Sequence, residues 1–265
     1  MASPDFDNMS QDEWRSVLEG KHPALHRGRH LFGLLPANPR CKVCNAPFGG
    51  MGGKVMRLMG RGPFEKNPNF CEACLVFTER KGVEIEISML FADVRGSTAM
   101  AETMNASDFT RRMNRFFEVA MQVLVRTDAW IDRLIGDEVV ALYIPGFAGQ
   151  DHPLQAVDAA RSLLRMTGHA DPAGPWIPIG VGVHTGKAYV GLVGSEGGVC
   201  EITAMGDAMN VTARLTSLAE PGEALISENA WSAAGLSHEA SELRVLDLKG
   251  RATPVEARVL RLTHD

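Results

Sequence analysis

With 265 residues, 45% hydrophobic and 22% charged, the chain has a globular composition large enough for one ordinary domain plus a small module, which excludes wholesale disorder. A net charge of −5 excludes a broad nucleic-acid-binding face, which needs a basic surface, and leaves only a local basic patch over 54–61. No stretch approaches the roughly 20 apolar residues of a membrane span, and the acidic, polar N-terminus lacks the basic start and apolar run of a signal peptide, so a cytoplasmic chain with no membrane partner is expected.

The first 35 residues hold short helical patterns such as 11–18 and a His- and Arg-rich run over 21–30. His22, His26 and His30 recur every four residues, the spacing of one helix face, but Pro23 and Gly28 weaken a helix there and the run reads better as solvated and weakly basic. A Gly-, Pro- and Cys-rich stretch follows over 36–74, then a charged link over 78–82. From Val83 strands and helices alternate. Residues 83–94 read as an increasingly apolar strand, and 98–127 as one long amphipathic helix. Residues 130–135 and 139–144 are two apolar strands joined by Gly136-Asp137, a strong hairpin signal. A helix over 154–166, a strand pair over 177–184 and 188–193 turning at Thr185-Gly186, and a helix over 207–219 capped by Asp207 come next. A short strand over 223–227, a short helix through Trp231 and strands within 244–262 complete the chain, and no internal repeat is present. The order resembles a ferredoxin-like α+β core, βαββαβ, with a C-terminal extension and a small metal-binding module in front. The expected division is a helical segment over 1–35, a Cys₄ module over 36–80 and a larger domain over 82–265.

Cys41, Cys44, Cys71 and Cys74 form C-x2-C-x26-C-x2-C. Paired knuckles of this kind grip a tetrahedral metal from two sides, most simply structural Zn²⁺, with an iron–sulfur cluster as the alternative. The module is poor in core-forming residues, so metal binding would supply its folding energy. Cys200 reads as a thiol without a role.

Asp93 ends an apolar strand in Phe91-Ala92-Asp93-Val94-Arg95-Gly96-Ser97-Thr98, where the backbone N–H groups of 95–98 open a helix and can cradle phosphate. Asp137 sits in the hairpin turn. In a βαββαβ core the first strand neighbours the second hairpin strand, so the two carboxylates would lie close together. Two such carboxylates without a basic partner repel each other, and divalent ions resolve the conflict. Asp93 could equally be a helix cap and Asp137 a turn residue. Asn210 and Arg214, four apart on a helix, share a face.

The two aspartate segments, together with Gly182-Val183-His184-Thr185-Gly186 and Gly206-Asp207-Ala208-Met209-Asn210-Val211-Thr212-Ala213-Arg214-Leu215, occur in the order and rough spacing of class III adenylate and guanylate cyclases, and 83–262 resembles their catalytic domain. The resemblance implies that Asp93 and Asp137 hold two Mg²⁺ or Mn²⁺ ions, with the carbonyl of Val94 completing one coordination sphere. It implies that Asn210 orients the ribose and that Arg214 stabilises phosphate charge as the 3′-oxygen attacks and pyrophosphate leaves. Arg95, Gly96, Ser97, Thr98 and Lys249, with Arg251 nearby, are the candidate phosphate contacts. Each active site of the family lies between two subunits, and this chain carries both halves, so a homodimer is implied.

The family reads the base at two positions, here Arg133 and Thr203. Thr203 fits the adenine pattern, since its hydroxyl can accept from the exocyclic amine. Arg133 stands where adenylate cyclases have Lys. It can donate to adenine, or in a fork to guanine, or read a pyrimidine through its carbonyls, or pair with Asp132 or Glu138 and read nothing. ATP is the favoured nucleoside triphosphate, with GTP or a pyrimidine triphosphate as the alternative. A catalytically inactive cyclase fold used for sensing is the competing class. Nucleic acid is not expected as a partner, because the basic stretch over 54–66 has little aromatic surface for stacking.

Overall fold

The structure, a computed structural model, describes residues 10–35, 38–64, 67–76, 82–194, 200–237, 241–248, 251 and 253–262. In chain order the elements are α1 (Gln11–Leu18), α2 (Pro23–Gly33), α3 (Gly50–Leu58), β1 (Pro63–Phe64), β2 (Asn67–Cys71), α4 (Glu72–Val76), β3 (Val83–Val94), α5 (Ser97–Thr103), α6 (Ala106–Arg126), β4 (Trp130–Ile135) and β5 (Glu138–Tyr143). They continue with α7 (Pro145–Ala148), α8 (His152–Met166), β6 (Ile179–Gly194), β7 (Cys200–Met205), α9 (Asp207–Leu218), β8 (Ala224–Ser227), α10 (Glu228–Ala233), β9 (Glu242–Leu246) and β10 (Val255–Leu260). The main sheet has the order β4-β5-β3-β6-β8-β10-β9, with β7 on β6. Its first four strands are the ferredoxin-like set, in which the first strand lies between the third and the fourth, and β8, β9 and β10 are the extension.

The chain divides into two compact units. The first gathers the segment up to Glu86 with Ile144–Gln150 and Lys187–Gly206. There Ser10 and Glu13 close a reciprocal capping box on α1, which buries Trp14, Val17 and Leu18. Phe70 meets Phe147 edge-on at 5.0 Å, and Arg29 Nη2 donates to the carbonyl of Gly146 at 3.0 Å, so the cysteine-rich segment is held on the 144–150 segment. The region expected to resist helix formation does form α2, because Pro23 stands at its first position, where a missing N–H costs nothing.

The second unit holds Ile87–Tyr143, Asp151–Gly186 and Asp207–Asp265. β3 is buried without a break from Ile87 to Ala92, as a central strand covered on both faces must be, and only Asp93 near its end is partly open. The expected single helix over 98–127 is two: α5 ends at Thr103, and Asn105 caps α6 by accepting from the N–H of Asp108. α6 turns Met113, Phe116, Ala120, Val123 and Leu124 inward at helical spacing. The expected turn at Thr185-Gly186 does not exist, since β6 runs straight through it. Thr185 is held there by a buried network, in which Ser88 Oγ lies 2.6 Å from Thr185 Oγ1 and 2.9 Å from His152 Nδ1.

Candidate active site

The hairpin β4–β5 turns at Gly136, whose φ of 62° is the left-handed conformation the turn requires. The antiparallel register of β3 on β5 sets Asp93 opposite Glu138, directly beside Asp137. The N–H of Val94 donates to the carbonyl of Asp137 at 3.3 Å and ties the strand end to the turn. Asp93 and Asp137 are therefore brought together, as expected, and Glu138 joins them.

The carboxylates do have a basic partner. Arg95 Nη1 donates to Asp93 Oδ2 at 2.9 Å. Three carboxylates around one guanidinium still leave an excess of negative charge. Partial burial pushes the Asp93 carboxyl up, the Asp137 charge adds to this, and Arg95 opposes it. Burial, then Asp93 and Asp137, push Glu138 up to about 7. All-oxygen donors with net negative charge are the chemistry a hard divalent cation takes, although the three carboxylates do not converge on one point as the four cysteines do.

The phosphate cradle is smaller than the sequence implies. The backbone N–H of Arg95 donates to the carbonyl of Pro178 at 2.9 Å and is not free for phosphate. Gly96 caps α5 with φ 71° and no side-chain bond, which leaves the first-turn amides of Ser97 and Thr98 facing outward. Lys249 lies outside the described residues. Arg251 is paired with Asp207 at the start of α9.

α9 buries Ala208, Val211, Thr212, Leu215 and Thr216 and exposes Asn210 and Arg214 on the opposite side. Among the described residues no hydrogen bond or ion pair joins Asn210 or Arg214 to Asp93 or Asp137. Arg133 Nε donates to Asp132 Oδ2 at 2.6 Å, so part of its guanidinium is already committed to the neighbouring carboxylate. Thr203 is buried on β7 in the first unit, while Arg133 lies on β4 in the second. His184 lies with Nδ1 2.7 Å from the hydroxyl of Ser227, the cap of α10.

In the first unit the sulfurs of Cys41, Cys44, Cys71 and Cys74 all lie within 4.8 Å of one another and are buried. Cys41 and Cys74 are 3.9 Å apart, and Cys44 and Cys71 3.8 Å. An ion about 2.3 Å from each of four sulfurs needs tetrahedral edges of about 3.8 Å, so the donor set fits one metal ion. Hydrogen bonding with Cys41, and to a lesser extent with Cys74, pulls Cys44 and Cys71 below the ordinary thiol range. Arg61 Nη1 donates to Cys44 Sγ at 3.7 Å and offsets thiolate charge. His26 and His30 are exposed on α2, outside this cluster.

Residues 81–259 match the family model of the adenylate and guanylate cyclase catalytic domain. The chain belongs to the class III nucleotidyl cyclase family. It is 30% identical over 180 residues to the terminal-differentiation-specific adenylate cyclase of Dictyostelium discoideum, covering 64% of this chain and 8% of that one. It is 30% identical over 138 residues to an adenylate cyclase of Anabaena cylindrica, covering 50% and 27%. This chain thus spans about a quarter or less of the length of these curated relatives. The crystal structure of the guanylyl cyclase Cya2 superposes with a TM-score of 0.61 at 26% identity, covering 68% of this chain and 93% of that one. The adenylyl cyclase CyaB from P. aeruginosa shares the fold, with a TM-score of 0.60 at 24% identity, covering 70% and 99%. Among the described residues no helix of this chain is long and apolar enough to cross a membrane.

Two residues of the candidate site escape sequence reasoning in part. Glu138 carries its signal only in the register that sets it opposite Asp93. Arg95 is expected from the sequence as a phosphate contact, whereas its side chain pairs with Asp93, which nothing in the local motif signals.

Proposed function

We propose that the chain converts ATP to 3′,5′-cyclic AMP and pyrophosphate, at sites formed between two copies of itself. The observation that carries this reading is the carboxylate cluster of Asp93, Asp137 and Glu138 beside the first turn of α5. Asp93, Asp137 and the Val94 carbonyl would hold two Mg²⁺ or Mn²⁺ ions, which when bound supply charge neutralisation of the triphosphate and acidify the ribose 3′-hydroxyl. The amides of Gly96, Ser97 and Thr98 would receive phosphate oxygens, as free helix-start donors do. Asn210 holds the ribose so that its 3′-oxygen faces the α-phosphorus. Arg214 meets the charge that grows on the phosphates as the bond to pyrophosphate breaks, where positioned electrostatics do most of the catalytic work.

Asn210 and Arg214 face away from their own chain's core, which supports their service to a second subunit. The division into 1–35, 36–80 and 82–265 belongs to the same proposal, with the middle segment a Zn²⁺-binding regulatory module. Zn²⁺ is favoured over a two-iron cluster, which would spread its four sulfurs beyond a single tetrahedron.

Adenine is favoured because Thr203 offers an acceptor to the exocyclic amine. A second reading, GTP, has its own support: Arg133 carries a fork rather than a point charge. Product formation from ATP, GTP, CTP and UTP in parallel, with Mg²⁺ and with Mn²⁺, tests both. Cyclic AMP as the main product is expected. A different main product would move the specificity to Arg133, and no cyclic product from any of the four would overturn the enzymatic reading.

A further inference from the structure

Arg95 lies two positions after Asp93, in the turn that joins β3 to α5. Its donors reach β3, α9 and the segment before β6. Nη1 donates to Asp93 Oδ2 at 2.9 Å, at the end of β3. Nη2 donates to the backbone carbonyl of Thr216, in the last turn of α9. The backbone N–H donates to the carbonyl of Pro178 at 2.9 Å, just before β6. The guanidinium fits there because residue 180 has no side chain: a Cβ on Gly180 would stand 2.4 Å from Arg95 Nε and 2.5 Å from Nη2. Arg95 Nε is buried without an acceptor. A buried donor left unpaired is unfavourable, so the guanidinium is fixed by its other contacts and not by local preference.

We propose that Arg95 is a positioning residue that shares Asp93 with the divalent ion and ties it to the helix bearing Asn210 and Arg214. The proposal rests on the reading of Asp93 as an ion ligand. Two consequences separate the charge of Arg95 from its shape. The positive charge beside Asp93 opposes a cation at the same carboxylate, so it weakens ion binding. The fork, with one arm on Asp93 and the other on Thr216, holds the end of α9 against the carboxylate cluster, so it sets the orientation of Asn210 and Arg214. In a dimer whose sites each take aspartates from one chain and α9 from the other, this link would join the ion ligands of one site to the catalytic helix of its twin.

The test uses the full chain and three variants, with folding checked by circular dichroism. Mn²⁺ binding is measured without nucleotide by the loss of the free-ion electron paramagnetic resonance signal, and kcat and KM are measured separately. Arg95→Gln is expected to bind Mn²⁺ about fivefold more tightly, because a neighbouring positive charge is gone. Its kcat should fall about tenfold with little change in KM, as lost positioning does. Arg95→Lys keeps the charge and loses the fork, so its Mn²⁺ affinity should return to within about twofold of the parent while kcat stays low. Asp93→Asn should lose Mn²⁺ binding. If Arg95→Gln binds no more tightly while Asp93→Asn loses the ion, the proposal fails and the ligand reading stands. If Arg95→Lys turns over like the parent, the tie to α9 is wrong. If Asp93→Asn binds Mn²⁺ as the parent does, the ligand reading itself fails and the proposal falls with it.

Discussion

Asp93 and Asp137 could each be a cap or a turn residue, and their shared location argues against both being only that. Carboxylates that repel one another are unfavourable unless something uses the charge. Asp93→Asn and Asp137→Asn keep the shape of the strand end and turn, so each is expected to lower cyclisation by at least about 100-fold while leaving the thermal melt within a few degrees. A variant with near-parental turnover would remove that residue from the site. Both aspartates were legible because turn chemistry and strand ends are local properties. Glu138 was not, because its role depends on which residue lies across the strand pair. The same scale gives a pH dependence away from the site. Burial holds His152 and His184 down to about 4, and the Arg251 charge adds to this for His184. Both are neutral when folded and take a proton near 6.5 when unfolded. Their contribution to stability is therefore complete above pH 6.5 and is lost as the pH falls toward 4. Each should cost about 2 kcal/mol at pH 5 relative to pH 7.5. Urea melts at the two pH values check this, and His184→Asn should remove part of the difference.

At the scale of elements, the α+β order was legible and several boundaries were not. The hydrophobic stripe over 98–127 is continuous, but Asn105 and Asp108 supply a cap that restarts the helix after Met104. Thr185-Gly186 has turn composition, yet Ser88 and His152 on other elements hold Thr185 inside a strand, and a tertiary contact overrides local propensity. β7, which carries Thr203, has no strong alternation of its own and takes its form from pairing with β6. The cysteine module was legible from spacing, and the four converging sulfurs follow from it. Elemental analysis is expected to find about one zinc per chain, because one tetrahedral ion satisfies all four sulfurs. Stripping it with a chelator should raise protease sensitivity around the four cysteines, since the ion holds their two pairs together. Two irons per chain with visible absorption would replace zinc by a cluster, and an unchanged cleavage pattern would show that the metal does not hold the fold.

At the scale of the whole molecule, the outward face of α9 poses the remaining question. Asn210 and Arg214 are exposed, and their helix turns its apolar side, Val211 and Leu215 with Leu225 and Val259, into its own core. Side chains suited to ribose and phosphate but aimed at solvent are useful if a second copy brings its aspartates to them. Such a two-fold arrangement makes two equivalent sites, each built from opposite halves of two chains. Asp93→Asn and Arg214→Ala chains should then each be inactive alone. In a mixed dimer one site receives both defects and the other receives neither. Random pairing of equal amounts makes half the dimers mixed, each with one intact site of two, so the mixture should recover about a quarter of parental activity. Recovery should rise with total protein concentration where dimerisation is incomplete. A site contained within one chain predicts no recovery at any ratio. The mixing experiment therefore separates the two architectures without depending on which base the enzyme prefers.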